Sequence, residues 1–146
     1  IVPFADGAGI VFAPSRVFDS GSYPSGGTGM VGTASEFLHF LETLRSGGGA
    51  LVKIDTAAAM MRNQVGDLPV NARGPGWGFG FGAAVLKDPE QAGSPQSAGA
   101  WGWGGVYGHS WFIDPTQRLT VVGLTNTAIE GMAGRFSTDL RNAVYR

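Results

Sequence analysis

Between Gly99 and Pro115 the chain reads GAWGWGGVYGHSWFIDP, a stretch with three of its four tryptophans, five glycines and one of its two histidines. A histidine beside a serine raises nucleophilic catalysis first. Gly108-His109-Ser110 begins like the G-x-S-x-G elbow, in which a strained strand-to-helix turn exposes a serine to a general base. The fifth position is Phe112, and a strand with a hairpin is expected next instead of a helix. Ser110 is therefore not read as an elbow nucleophile. A serine activated by lysine needs S-x-x-K, and neither Lys53 nor Lys87 follows a serine at that spacing. There is no cysteine, which removes thiolate nucleophiles, disulfides and thiolate metal sites. His39 and His109 lie far apart with no HxxxH spacing, so no metal site is expected. Gly27-Thr28-Gly29-Met30-Val31-Gly32 matches a bare GxGxxG, but no strand precedes it and no βαβ unit surrounds it. A phosphate loop would need a lysine that the run lacks. It reads as a tight turn feeding a helix, and no cofactor is expected.

The elements that must position these residues follow from patterning. Residues 1–32 are rich in Gly, Pro and Ser and read as a loop. Thr33 and Glu36 form a capping box, and Phe37, Phe40, Leu41 and Leu44 make one apolar helix face that Gly47–Gly49 end. His39 lies off that face and reads as a solvated histidine. A shorter helix is expected from Asp55 as N-cap through TAAAMMRN. In GWGFGFGAAVL, Trp77, Phe79 and Phe81 alternate with glycines, which predicts a strand with one ringed face and one bare face open to another backbone. Ser110–Ile113 and Leu119–Thr125 are expected to pair as an antiparallel hairpin across Asp114–Gln117. A last helix is expected over about Gly131–Tyr145, with Met132, Phe136, Leu140 and Val144 on one side. The fold class is α+β: an antiparallel sheet packed with helices.

Composition sets outer limits. The 146 residues suffice for one ordinary domain. A formal net charge of -1 gives no general attraction to nucleic acid or to anionic membrane. No apolar run approaches the roughly 18 residues that span a bilayer. The expectation is a soluble protein, cytoplasmic or periplasmic. The start, IVPFADGAGIVF, has neither a basic n-region nor an initiator Met, so a processed N-terminus or a piece of a longer chain is expected.

Four stretches, in order, resemble the C-terminal half of the serine β-lactamase-like, or penicillin-binding-protein-like, superfamily. This group includes class C β-lactamases, family VIII esterases and D-amino-acid peptidases. GGTGMVGTASEFLHFLETLRSGG is similar to the family's Gly-rich loop and helix. ALVKIDTAAAMMRNQ is similar to its next short helix, GPGWGFGFGAAVL to the strand after it, and WGWGGVYGHSWFIDPTQRLTVVGLTNT to the third motif with its closing hairpin. Order and spacing carry the resemblance, which covers essentially the whole chain. It implies a partial transpeptidase-like fold lacking its N-terminal half, with residues 1–146 as one C-terminal segment.

The resemblance also implies roles. Trp103-Gly104-Gly105 stands where β-lactamases have Lys-Thr-Gly, as in the esterase branch. The backbone N–H of Val106 would be one oxyanion donor. Glycines there would let a substrate carbonyl approach the backbone. Replacing Lys-Thr-Gly removes a cation and a hydroxyl, which favours an uncharged acyl group. Trp101, Tyr107 and His109 would line the same cleft and touch substrate. The family's S-x-x-K and Tyr-x-Asn are not in their expected places. Tyr23-Pro24-Ser25 mimics the second motif but comes too late in the family's order. Nucleophile and base would then lie outside the chain, and the chain alone would be inactive. The expected partners are a small ester, amide or β-lactam substrate and the missing N-terminal half or another copy. Two alternatives stay open: a non-catalytic module whose Gly and Trp strands bind sugars or peptides, and a homologue that has lost catalysis.

Overall fold

The computed structural model describes residues 2–3, 9–10, 13–27, 29–132 and 134–146. Thr28 of the glycine-rich run and Ala133 near the last helix lie outside them. Two compact units separate between Thr33 and Ala34. The first is not only loop. It holds a short antiparallel pair, β1 (Val2–Pro3) and β2 (Gly9–Ile10), and a 3-10 turn over Pro14–Phe18. Asp19 closes that turn by accepting the N–H of Gly21 at 2.9 Å and the hydroxyl of Ser22 at 3.2 Å. In the glycine-rich run, Gly29 N–H donates to the carbonyl of Ser25 at 2.7 Å, a tight turn as expected.

The second unit opens with α1 (Ala34–Arg45), which starts immediately after Thr33. Leu41 and Leu44 are buried and Phe37 half-buried, whereas Phe40 stacks on Phe37 at 5.9 Å and stays 40% exposed, so the apolar face is narrower than the spacing predicts. His39 is exposed, as expected. The second helix, α2, spans Ile54–Met60, with Lys53 and not Asp55 at the cap position. Asp55 falls inside the first turn, where a carboxylate still favours the positive end of the helix dipole.

Five antiparallel strands follow in spatial order: β3 (Trp77–Phe79), β4 (Ala84–Leu86), β5 (Trp101–Gly104), β6 (His109–Asp114) and β7 (Leu119–Leu124). Periodicity predicted three strands. The single strand expected over GWGFGFGAAVL is a hairpin instead. Gly80 N–H donates to the carbonyl of Ala83 at 2.9 Å and Phe81 N–H turns away to that of Met60 at 3.0 Å, which breaks the run. The bare side does receive other groups: a Cβ on Gly78 would strike Asn63, and one on Gly80 the carbonyl of Met60. The hairpin of β6 and β7 forms as predicted, with Asp114 opposite Leu119 and the turn at residues 115–118.

Leu41 and Leu44 of α1 meet Val85, Trp101 and Ile113 on one face of the sheet, and this is the core. The last helix, α3, is shorter than expected, Arg135–Val144. It packs where β7 has Gly123, whose missing side chain leaves room for Phe136 and Leu140. Met132 and Val144 are exposed, so only the middle of the predicted apolar side is used. Asp114 is fully buried and ties three segments together. It accepts the N–H of Ser97 at 2.8 Å, the N–H of Gln117 at 3.1 Å and the hydroxyl of Tyr145 at 2.6 Å. Among the described residues no helix is long and apolar enough to cross a membrane.

Candidate active site

The turn between β5 and β6 is four residues, Gly105–Gly108. Gly108 N–H donates to the carbonyl of Gly105 at 3.0 Å, and Gly105 N–H to that of His109 at 2.8 Å. Gly108 has φ +100, a conformation that a side chain disfavours. A Cβ at Gly108 would also strike the hydroxyl of Thr125. A second segment, residues 125–132, folds back onto this turn. The N–H of Thr125 donates to the carbonyl of Gly108 at 3.1 Å and its hydroxyl to the same oxygen at 3.0 Å. Ile129 N–H donates to the carbonyl of Val106 at 2.6 Å.

Ile129 makes that bond from φ +75. For a β-branched residue this is a strained conformation that costs about 1–3 kcal/mol and persists only where its surroundings enforce it. The adjacent Glu130 accepts the N–H of Phe136 at 3.0 Å, which anchors the returning segment to the start of α3. The carbonyl of Val106 is therefore fixed. Its N–H, among the described residues, has no acceptor.

The glycines of the predicted motif have separate uses. A Cβ on Gly104 would overlap the carbonyl of Gly131, and one on Gly131 would overlap that of His109. The bare side of Gly104 is thus filled by this chain's own backbone, not held open for a substrate carbonyl. At Gly105 the closest group to an added Cβ is Nδ1 of His109 at 3.3 Å. The exposed imidazole of His109 stands 6.4 Å from the ring of Tyr107, tilted by 52°.

Trp103 is half-buried. Its ring meets Phe79 edge-on at 5.2 Å, and the guanidinium of Arg73 stands 5.2 Å from its centre. The hairpin brings Trp103, Gly104, Gly105, Val106, Tyr107 and His109 together. It does not bring Trp101, which is 3% exposed and packed at 5.0 Å against Trp111 in the core. The expectation that Trp101 lines a cleft gives way to packing. Trp101 is buried, and Trp77, Trp103 and Trp111 are half-buried. Ser110 lies within β6, inside an antiparallel hairpin that has none of the geometry of an elbow. Tyr23 is exposed in the first unit.

Sequence reasoning missed Arg73, Ile129, Glu130 and Gly131. Arg73 falls in a polar loop with no periodicity, and only the ring pair Trp77 and Trp103 hinted at a cation between them. Ile129 and Gly131 act through backbone contacts that residue type does not announce, and Glu130 accepts the N–H of Phe136 with its side-chain carboxylate, from a segment with no periodicity.

Comparison with known proteins adds the lineage. Residues 4–145 match the Beta-lactamase family model. This chain belongs to the beta-lactamase family. A relative, esterase EstB of Burkholderia gladioli, is 54% identical over 144 residues, which cover 99% of this chain and 36% of that protein. The solved structure of EstCE1, described as a hydrolase with promiscuous acyltransferase activity, superposes with a TM-score of 0.87 at 52% identity, over 99% of this chain and 38% of the other. As a beta-lactamase family member the chain thus spans little more than a third of the length of these relatives. The antiparallel sheet with three helices is the α+β part-fold expected of the family.

Proposed function

We propose that this chain forms one wall of the acyl-transfer site of a serine hydrolase of the esterase kind, with nucleophile and base supplied from outside these 146 residues. The observation that carries the reading is the N–H of Val106, which has no acceptor among the described residues, in a turn where its own carbonyl, Gly105 and Gly108 are all fixed by backbone bonds. The serine oxygen attacks the substrate carbonyl while a lysine–tyrosine base takes its proton. The carbonyl oxygen becomes an oxyanion, which the Val106 N–H and the serine's own N–H stabilise. Collapse expels the protonated leaving group, and water then cleaves the acyl-enzyme. A donor of this kind contributes about 2.7–4 kcal/mol to the transition state because it needs no reorganisation when charge appears.

Trp103, Tyr107 and His109 line the wall around that donor. A wall that offers tryptophan and glycine in place of lysine and threonine favours an uncharged acyl group, so esters are the leading substrate class, ahead of amides and β-lactams. The similarity to EstB, named as an esterase, and to EstCE1, described as a hydrolase with promiscuous acyltransferase activity, supports an acyl-transfer reading.

The test compares this chain with a version extended to the length of its relatives. A short-chain p-nitrophenyl ester and a fluorophosphonate label are applied to both. The extended protein is expected to turn over the ester and to take the label on a serine outside residues 1–146, and the isolated chain to do neither. Label-sensitive turnover by the isolated chain contradicts the absent nucleophile. An extended protein that neither reacts nor labels contradicts the enzyme reading and leaves a homologue without catalysis.

A further inference from the structure

Ser110 has no part in that chemistry, yet it is only 7% exposed and carries a hydroxyl. It lines a cavity of about 50 Å³ with Arg73, Gln96, Ser137, Thr138 and Arg141. Each of these six residues brings a hydrogen-bond donor: two guanidiniums, three hydroxyls and one amide. Among the described residues no carboxylate lines the cavity. Among the described residues neither arginine has an ion pair. Arg141 donates to the side-chain oxygen of its neighbour Asn142 at 3.2 Å. The guanidinium of Arg73 rests over Trp77 at 5.4 Å and Trp103 at 5.2 Å, and no hydrogen bond of the described residues occupies its five donors.

Two cations share a small, partly dry space. Burial, and then the like charge of Arg141, work against the charged form of Arg73, and burial works against Arg141. Arginine stays protonated nonetheless, so the charges call for an anion. The aromatic rings offset part of the cost. The cavity is far below the roughly 300 Å³ of a site for a drug-sized ligand, but it has room for one planar oxyanion. We propose that this cavity binds a single carboxylate group, held between Arg73 and Arg141 and completed by the hydroxyls of Ser110 and Thr138. A guanidinium fork matches the two oxygens of a carboxylate. The proposal does not depend on the catalytic reading. The carboxylate has two possible sources: a free small acid, or an Asp or Glu side chain from protein outside these residues, since the chain spans 36% of EstB.

The test titrates the protein with sodium acetate against sodium chloride at equal ionic strength and follows the Nε–H NMR signals of Arg73 and Arg141, with thermal melts alongside. Saturable shifts of both signals and a rise in Tm, with acetate only, are expected. Arg141→Gln should weaken the response about tenfold or more, the usual consequence of losing a charged hydrogen bond. Arg73→Lys keeps the charge but loses the fork, and should weaken it too. The melts establish that both variants fold. Signals that move no more in acetate than in chloride, or a response that survives Arg141→Gln unchanged, overturn the proposal. In the extended protein, signals already shifted and deaf to acetate identify a side-chain carboxylate, and a retained acetate response identifies a free acid. Unshifted signals with no response there overturn it as well.

Discussion

The two ends of β5 are built on different principles. At its first residue, Trp101 is packed with Trp111, Leu41, Leu44, Val85 and Ile113, and what holds it is buried apolar area. At its last, Gly104 lies against the carbonyl of Gly131, and the turn beyond is held by backbone bonds to residues 125–129. One end tolerates no loss of side chain; the other tolerates no gain. The same residue type shows the contrast, because Trp101 and Trp103 are two positions apart and only the second borders the turn.

The largest stability effect should come from adding a methyl group at the turn end. Gly108→Ala combines a collision with Thr125 and an unfavourable φ of +100, and should lower unfolding stability by about 4 kcal/mol. Urea unfolding at constant slope measures it. A loss near zero would mean that the returning segment is not held as described.

Removal at the core end comes next. Leu41→Ala empties a fully buried site and should cost about 3 kcal/mol in the same assay. The asymmetry is sharpened if Phe40→Ala, at 40% exposure, costs clearly less.

A smaller effect lies at the far edge of the core, where Glu42 is hydrogen-bonded by Arg45 and by the hydroxyl of Thr120. Arg45 first and Thr120 second hold its carboxyl down from 4.5 to about 2 against the opposing effect of burial. The folded value is below the unfolded one, so the stabilisation is present above pH 4.5 and is lost as pH falls toward 2. Solvent reaches this pair, which limits the contribution to about 1 kcal/mol. Asp114 acts in the same direction. Burial pushes its carboxyl up, but hydrogen bonds from Tyr145, Ser97 and Gln117 outweigh it and hold it below the ordinary range. Glu42→Gln should therefore flatten part of the acid limb of a pH–stability curve, and an unchanged limb would contradict the assignment. The smallest effect is expected at exposed His39, where alanine should change stability by less than about 0.5 kcal/mol.

The two ends also differ in how far the sequence reveals them. Leu41 and Leu44 declare the core through helical spacing, and Asp114-Pro115 declares the β6–β7 turn. β5 is hidden from periodicity, because in Trp-Gly-Trp-Gly the glycines erase the polar half of the alternation, and only the family resemblance implies a strand at the third motif. The β3–β4 hairpin is masked in the same way, since Gly80 continues a two-residue rhythm through a turn. At the candidate site, the residues from Trp103 to His109 are nominated through resemblance to a family. The contacts that fix them are not: a carbonyl from Gly131 against Gly104, or Ile129 at positive φ, leaves no mark in residue type. Trp101 misleads for a related reason, because a tryptophan beside a motif looks the same whether it faces a cleft or a core.

The measurement closest to the central claim is Val106→Pro in the extended, nucleophile-bearing protein. Val106 is the second residue of a turn closed by the bond from Gly108 to Gly105, a place that proline commonly occupies. The substitution removes the N–H and retains the carbonyl that Ile129 holds. We expect kcat for ester hydrolysis to fall about 100- to 1,000-fold, with little change in KM or Tm. An unchanged kcat in a folded Val106→Pro protein would contradict it.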